Sequence, residues 1–199
     1  MHPDAFEPAR RVAAYFAKYS EPWYVAGGWA VDLFLGRETR PHPDIEVAVL
    51  RRDQRLLRNV FEVWDWSKVI PGSRGGVRAI WGEQEWLDLP IHELHARGPY
   101  GELMEVLLQE SDIEAWRFRR EPTISMPLSK LGVRSGLGIP ILSPEVVLLY
   151  KAKSPGPKDE EDFSALLPAL DDAQVAWLGE ALDRCHPEHP WRPRLRVGR

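Results

Sequence analysis

The chain has 199 residues, 44% of them hydrophobic, with 26 basic against 30 acidic side chains and a formal net charge of −4. That suits one compact domain of usual size with a real core. It argues against a protein that coats nucleic acid by bulk charge, while leaving room for a local basic groove. The one cysteine, Cys185, excludes an internal disulfide framework and a cysteine-rich zinc site, in keeping with a reducing cytosol. The start, "MHPDAFEPARR", has no apolar core of signal-peptide length. Apolar runs such as Val146 to Tyr150 fall far short of a membrane span. The expectation is a soluble cytoplasmic protein with no membrane partner. The 9 tryptophans can build a core or stack on flat ligands, and core packing is the better account of most of them.

From the N-terminus, Val12, Tyr15, Phe16 and Tyr19 fall at helical spacing. "WYVAGG", Trp23 to Gly28, is a short strand ending in glycines, and "WAVDLFLG" a short helix stopped at Gly36. After the turn "RETRPHP", the segment Asp44 to Leu50 alternates, with Ile45, Val47 and Val49 on one face and Asp44, Glu46 and Ala48 on the other, which predicts a strand. A helix over "DQRLLRNVF", a strand over "WSKVI" and a glycine-containing link from Gly72 to Gly82 follow. Pro90 makes "WLDLPIHELHA" extended or irregular, and "RGPYG" is a turn that can join His92–Ala96 to Leu103–Leu108 as a hairpin. "WRFRREPTISM" suggests an extended pair around Glu121 and Pro122, and "GIPIL" a short strand.

"SPEVVLLYKAK" starts a helix well, with Ser143 as cap and Pro144 in the first helical position. Two acidic-started helices follow, "DEEDFSALLPAL" and "DDAQVAWLGEALDRC". The basic, proline-rich end is expected to run over the surface. The reading is an α+β protein: a mixed strand and helix core over 1–142, a helical part over 143–190 and a basic tail over 191–199.

Asp44 and Glu46 stand two apart on one strand face, with Cα atoms about 6.5–7 Å apart. Two carboxylates so placed can share a divalent metal or bracket two, as phosphoryl and nucleotidyl transfer requires. On its own such a pair is equally an exposed strand face. Gly27 and Gly28, between a strand and a helix, are placed for backbone N–H groups to cradle a phosphate, although a tight turn alone explains glycines there.

Together, "GGWAVDLFLGRETRPHPDIEVAV" resembles the nucleotidyltransferases of the DNA polymerase β-like superfamily, and more narrowly the aminoglycoside and lincosamide nucleotidyltransferase group. The matching residues are Gly27, Gly28, Trp29, Asp32, Gly36, Arg40, His42, Asp44 and Ile45. The resemblance implies a mixed sheet flanked by helices, with Asp44 and Glu46 as catalytic acids and Mg²⁺ ligands. Glutamate replaces the more usual aspartate at 46, and Trp29 stands where many superfamily members carry a phosphate-contacting serine. It also implies a third acid on a neighbouring strand. Glu105, in an apolar–acid–apolar setting after the hairpin turn, fits better than Asp88. Arg40 is expected to clamp a triphosphate, His42 to donate a supporting hydrogen bond, and Lys151, followed by "KDEEDF", to face the phosphates. The implied co-substrate is ATP or another NTP, and the acceptor a small hydroxylated molecule such as an aminoglycoside or lincosamide.

Asp159 to Asp162, with Asp171 and Asp172, can line an acidic groove for a polycation, although solvated helix starts account for them equally simply. Two other readings stay open. A toxin-like relative would modify tRNA or protein, with Arg117, Arg119 and Arg120 as the cluster to watch; a non-catalytic relative would bind nucleotide without turnover. The sequence leaves the oligomeric state open.

Overall fold

The computed structural model describes residues 5–72 and 76–197. Its centre is one mixed sheet of ten strands in the order β4-β3-β5-β6-β2-β1-β10-β9, with β7 and β8 attached beyond β6. Helix α1 (Glu7–Tyr15) leads through a 3₁₀ turn to β1 (Trp23–Val25) and α2 (Gly27–Leu35). Glycine at 36, with φ 67°, ends α2 in the left-handed conformation. Strand β2 (Glu46–Leu50) then runs antiparallel to β1 and parallel to β6. Its neighbours on both sides leave Val47 to Leu50 buried on both faces, so the alternation ends there.

Helix α3 (Gln54–Val60), β3 (Asp65–Ile70) and β4 (Val77–Ile80) follow. The expected link from Gly72 to Gly82 therefore holds a strand; residues 73–75 of it lie outside the described ones. β4 is an exposed edge strand with only β3 as neighbour, so no apolar alternation marks it. The expected hairpin is β5 (Glu93–Arg97) with β6 (Leu103–Ser111), closed by the Gly98 N–H donating to the Glu102 carbonyl at 2.9 Å. The extended pair around Glu121 is β7 (Ala115–Arg117) with β8 (Ser125–Pro127). β9 (Gly132–Arg134), unforeseen in the sequence, pairs with β10 (Pro140–Leu142).

The rest is helical: α4 (Pro144–Lys151), α5 (Pro157–Leu166), α6 (Asp172–Cys185) and α7 (Trp191–Val197). α4 is buried along most of its length and packs on α2, α5 and α6. The final segment differs from expectation. α7 sinks Trp191 (0% exposed) onto Phe163, with ring centroids 4.2 Å apart, and Leu195 is buried too. An apolar Trp–Leu pair one turn apart outweighs the basic composition between them. Most tryptophans do serve the core, Trp66, Trp81, Trp116 and Trp191 among them. Among the described residues no helix is long and apolar enough to cross a membrane.

Candidate active site

The site forms where the start of α2 meets the start of β2. Gly27 has φ +57°, and a Cβ there would overlap the Glu46 carboxylate. A side chain on Gly28 would overlap the His42 ring and the Arg40 guanidinium. The glycines are thus needed for close approach of three side chains. They form the first turn of α2, whose N–H groups lack partners within the helix.

The turn between α2 and β2 is pinned by Asp32, which is 0% exposed. It accepts from the Thr39 N–H at 3.1 Å and lies 2.7 Å from His42 Nε2. His42 is therefore a turn clamp whose ring lies tilted against that of Trp29, with centroids 4.9 Å apart. Trp29 occupies the superfamily's serine position but acts differently, since its indole N–H donates to the Asp44 carbonyl at 3.0 Å. The neighbouring backbone is fixed as well, by the Ala26 N–H on the Glu46 carbonyl (2.8 Å) and the Glu105 N–H on the Ile45 carbonyl (3.0 Å).

Asp44 is exposed and lies two residues ahead of β2, not within it. Glu46 begins the strand, and its direct partner in the parallel β2–β6 ladder is Glu105. Asp88 is elsewhere. It is exposed and accepts from the Trp86 indole at 3.0 Å, so register favours Glu105 as the third acid. Burial pushes the Glu46 carboxyl up to about 7; Lys151 pulls against this, while Glu105 and Asp44 add to it. Glu105 is raised by burial too, opposed by His95 and reinforced by Asp44. Mutually repelling, partly dehydrated carboxylates are a set that a divalent cation relieves, and their all-oxygen donors suit Mg²⁺.

Two cavities meet at these acids. One, of about 820 Å³, is bordered by Asp44 and Glu105, by further acids Glu62, Asp65 and Glu83, by Arg58, Arg78 and Arg97, and by Trp29, Trp64, Trp66 and Trp81. The other, of about 450 Å³, is bordered by Gly27 and Glu46, by Lys151, Lys153 and Lys158, and by Arg119 and Arg120.

The expected phosphate ligands divide. Lys151 borders the second cavity, with its ammonium 3.0 Å from Asp159 Oδ1 and 2.8 Å from Asp162 Oδ2. Two of its three donors are thereby engaged. Arg40 borders neither cavity. It grips Asp162 through two bonds of 3.0 and 2.9 Å, a tie between the turn and α5. Of the acid-rich helix starts, Asp159 borders the second cavity, already paired with Lys151. Asp162 is buried between Arg40 and Lys151, Asp159 also accepts from the Gly156 N–H, and Asp171 caps α6 through Gln174. Burial raises the Asp162 carboxyl, but Arg40 and Lys151 overcome this and hold it below the usual range.

The sequence motifs do not include His95. Its Nε2 lies 2.8 Å from Glu93 and its Nδ1 3.5 Å from Glu105. Arg78 also approaches Nδ1, at 2.8 Å. Glu93, His95 and Glu105 bring their ligand atoms within 4.8 Å of one another. Counting outward from the Gly98–Glu102 closure of "RGPYG" would have placed His95 opposite Glu105, as the ladder does.

Comparison with known proteins agrees with the fold. The structure resembles that of ANT(2'')-Ia in complex with adenylyl-2''-tobramycin, with a TM-score of 0.54 and 21% identity over 88% of this chain and 95% of that one. It resembles lincomycin-bound LnuA, a lincosamide antibiotic adenylyltransferase, with a TM-score of 0.54 and 14% identity over 80% and 94% of the two chains. No curated protein sequence matches the chain. The sequence profile described as Aminoglycoside-2''-adenylyltransferase matches residues 9–166, which spans every candidate acid. The chain is a nucleotidyltransferase of the aminoglycoside-2''-adenylyltransferase family.

Proposed function

We propose that this protein transfers a nucleoside monophosphate, AMP in the first instance, from ATP or another NTP to a hydroxyl of an aminoglycoside or lincosamide, as an antibiotic-resistance activity in the cytoplasm. The observation that carries this reading is the seam of carboxylates between two cavities of opposite character. Glu46 faces the cation-rich cavity, which suits a triphosphate, while Asp44 and Glu105 face the acid- and tryptophan-rich one, which suits a polycationic, partly apolar acceptor. Asp44 and Glu46 are the residues to hold Mg²⁺, which when bound supplies charge neutralisation at the phosphates.

The remaining chemistry falls to side chains of the chain itself. Glu105 accepts the proton of the acceptor hydroxyl. The hydroxyl oxygen forms a bond to the α-phosphorus as the bond to the β-phosphate oxygen breaks, and pyrophosphate leaves. Lys151, with one donor left, offsets the charge beside Glu46. Trp29 and the Ala26 and Glu105 N–H groups hold the acid-bearing backbone in place before substrate arrives.

The test is incubation with Mg²⁺, labelled ATP and a panel of aminoglycosides and lincosamides, with release of pyrophosphate as readout. Asp44→Ala is expected to lower turnover by about 10³-fold or more, while its exposed position leaves stability within about 0.5 kcal/mol. Release that persists in Asp44→Ala would assign it to another protein. Label arriving on tRNA instead would establish the alternative target.

A further inference from the structure

Arg119 and Arg120 follow β7 and border the cation-rich cavity. Both guanidinium groups lie over the Tyr150 ring, at 5.6 and 5.4 Å from its centroid. The platform is rigid: Tyr150 donates its hydroxyl to Gln109 Oε1 at 2.8 Å, and the Trp116 indole donates to the same oxygen at 3.0 Å. Arg120 Nη1 donates to the Tyr150 carbonyl at 2.9 Å, and its Nε is buried with no hydrogen-bond partner among the described residues.

Neither arginine forms an ion pair among the described residues. The nearby acids are engaged: Arg51 holds Glu110 through bonds of 2.8 and 2.6 Å, and His95 holds Glu93 at 2.8 Å. Burial holds both guanidinium groups below their ordinary pKa. Two half-buried cations side by side, held without a direct ion pair, are costly unless an anion completes them.

Position says which anion. Glu46 pairs with Glu105 across β2 and β6, whereas Arg117, just ahead of the two arginines, pairs with Glu110, five residues farther along β6. The arginines thus enter the cavity displaced along the sheet from the reacting acids, while Lys151 acts directly on Glu46. We infer that Arg119 and Arg120 grip the β- and γ-phosphates of the nucleotide, the part that departs as pyrophosphate, while the lysines serve the α-phosphate end. This rests on the nucleotidyl-transfer reading above, and it replaces the expected Arg40 clamp with two other arginines. Planar guanidinium forks suit phosphate oxygens bidentately.

The test measures dissociation constants of inorganic tripolyphosphate, α,β-methylene-ATP and AMP for the wild type, Arg119→Gln and Arg119→Lys. Arg119→Gln is expected to weaken tripolyphosphate and α,β-methylene-ATP about tenfold or more, with AMP unchanged within about twofold and Arg119→Lys intermediate. Equal losses for AMP and α,β-methylene-ATP would overturn the assignment by placing Arg119 at the nucleoside. So would unchanged binding of all three, or a wild type that binds no tripolyphosphate. Tripolyphosphate needs neither nucleoside nor acceptor, so its result stands apart from whether any antibiotic is modified. Should Arg119→Gln fail to fold, Arg120→Gln and Arg119→Lys carry the same comparison.

Discussion

The two cavities border neighbouring carboxylates, Glu46 on one side and its strand partner Glu105 on the other, but are built from opposite materials. The smaller sets Lys151, Lys153, Lys158, Arg119 and Arg120 against the carboxylates Glu46, Glu93 and Asp159, and Lys151 already pairs with Asp159. The larger sets Asp44, Glu62, Asp65, Glu83 and Glu105 against three arginines, on a floor of tryptophans. In a protein of net charge −4, this one recess thus carries a local excess of basic side chains. Polarity of this kind sorts two charged ligands to the two sides of the reacting acids. It also divides the work of binding, so that a change on one side should alter one ligand's affinity and leave the other's intact.

The strongest challenge to that division is Glu105→Gln. Turnover is expected to fall about 10²–10⁴-fold, as for a lost general base, while nucleotide affinity stays within about twofold. Single-turnover rates and a nucleotide dissociation constant check this, and a loss of affinity as large as the loss of rate would show that the seam does not separate the cavities.

Asp162→Asn probes the support behind the cationic side. Arg40 and Lys151 lose the buried carboxylate they share, and removal of one member of a buried ion network is expected to cost about 3 kcal/mol. The denaturation midpoint reports it; a change below about 0.5 kcal/mol would mean that the pairing contributes no support.

Glu46→Gln gives an effect no larger and a signed pH dependence. The folded carboxyl keeps its proton up to about pH 7, against an ordinary value of 4.5. Between those pH values the folded state binds more protons than the unfolded one, so stability falls as pH rises through this window. Without divalent metal, Glu46→Gln is expected to equal the wild type near pH 4 and exceed it by up to about 3 kcal/mol at pH 8. Thermal unfolding in EDTA across this range checks it, and parallel profiles would show that Glu46 is not strained by burial.

Local pattern tells most where a feature depends on near neighbours. The glycines, the hairpin turn and Pro144 at the start of α4 lie within a few residues of what they control, and each appears in the fold; Ser143 stands at the N-cap position, but its hydroxyl donates to the Lys130 carbonyl at 2.7 Å instead of capping the helix. β4 and β9 escape because short edge strands need no apolar face. α7 escapes because Trp191 finds its partner, Phe163, on a different helix. The motif contains His42 and its partner Asp32, ten residues apart, but only one half of the Arg40–Asp162 pair, whose members lie 122 residues apart.

By itself, then, the sequence determined the residue types available for phosphate chemistry, the strand–glycine–helix–strand order that carries them, and the apolar–acid–apolar setting of Glu105, because these are short-range properties of the chain. Only the tertiary structure decided that Glu105 rather than Asp88 stands beside Glu46, that Arg40 belongs to Asp162, and that Arg119 and Arg120 join the lysines in one recess. The physical reason is that a side chain's charge takes its meaning from what surrounds it. Those surroundings are assembled by parallel β2–β6 pairing and by α4 and α5 packing against α2, across separations that no local spacing records.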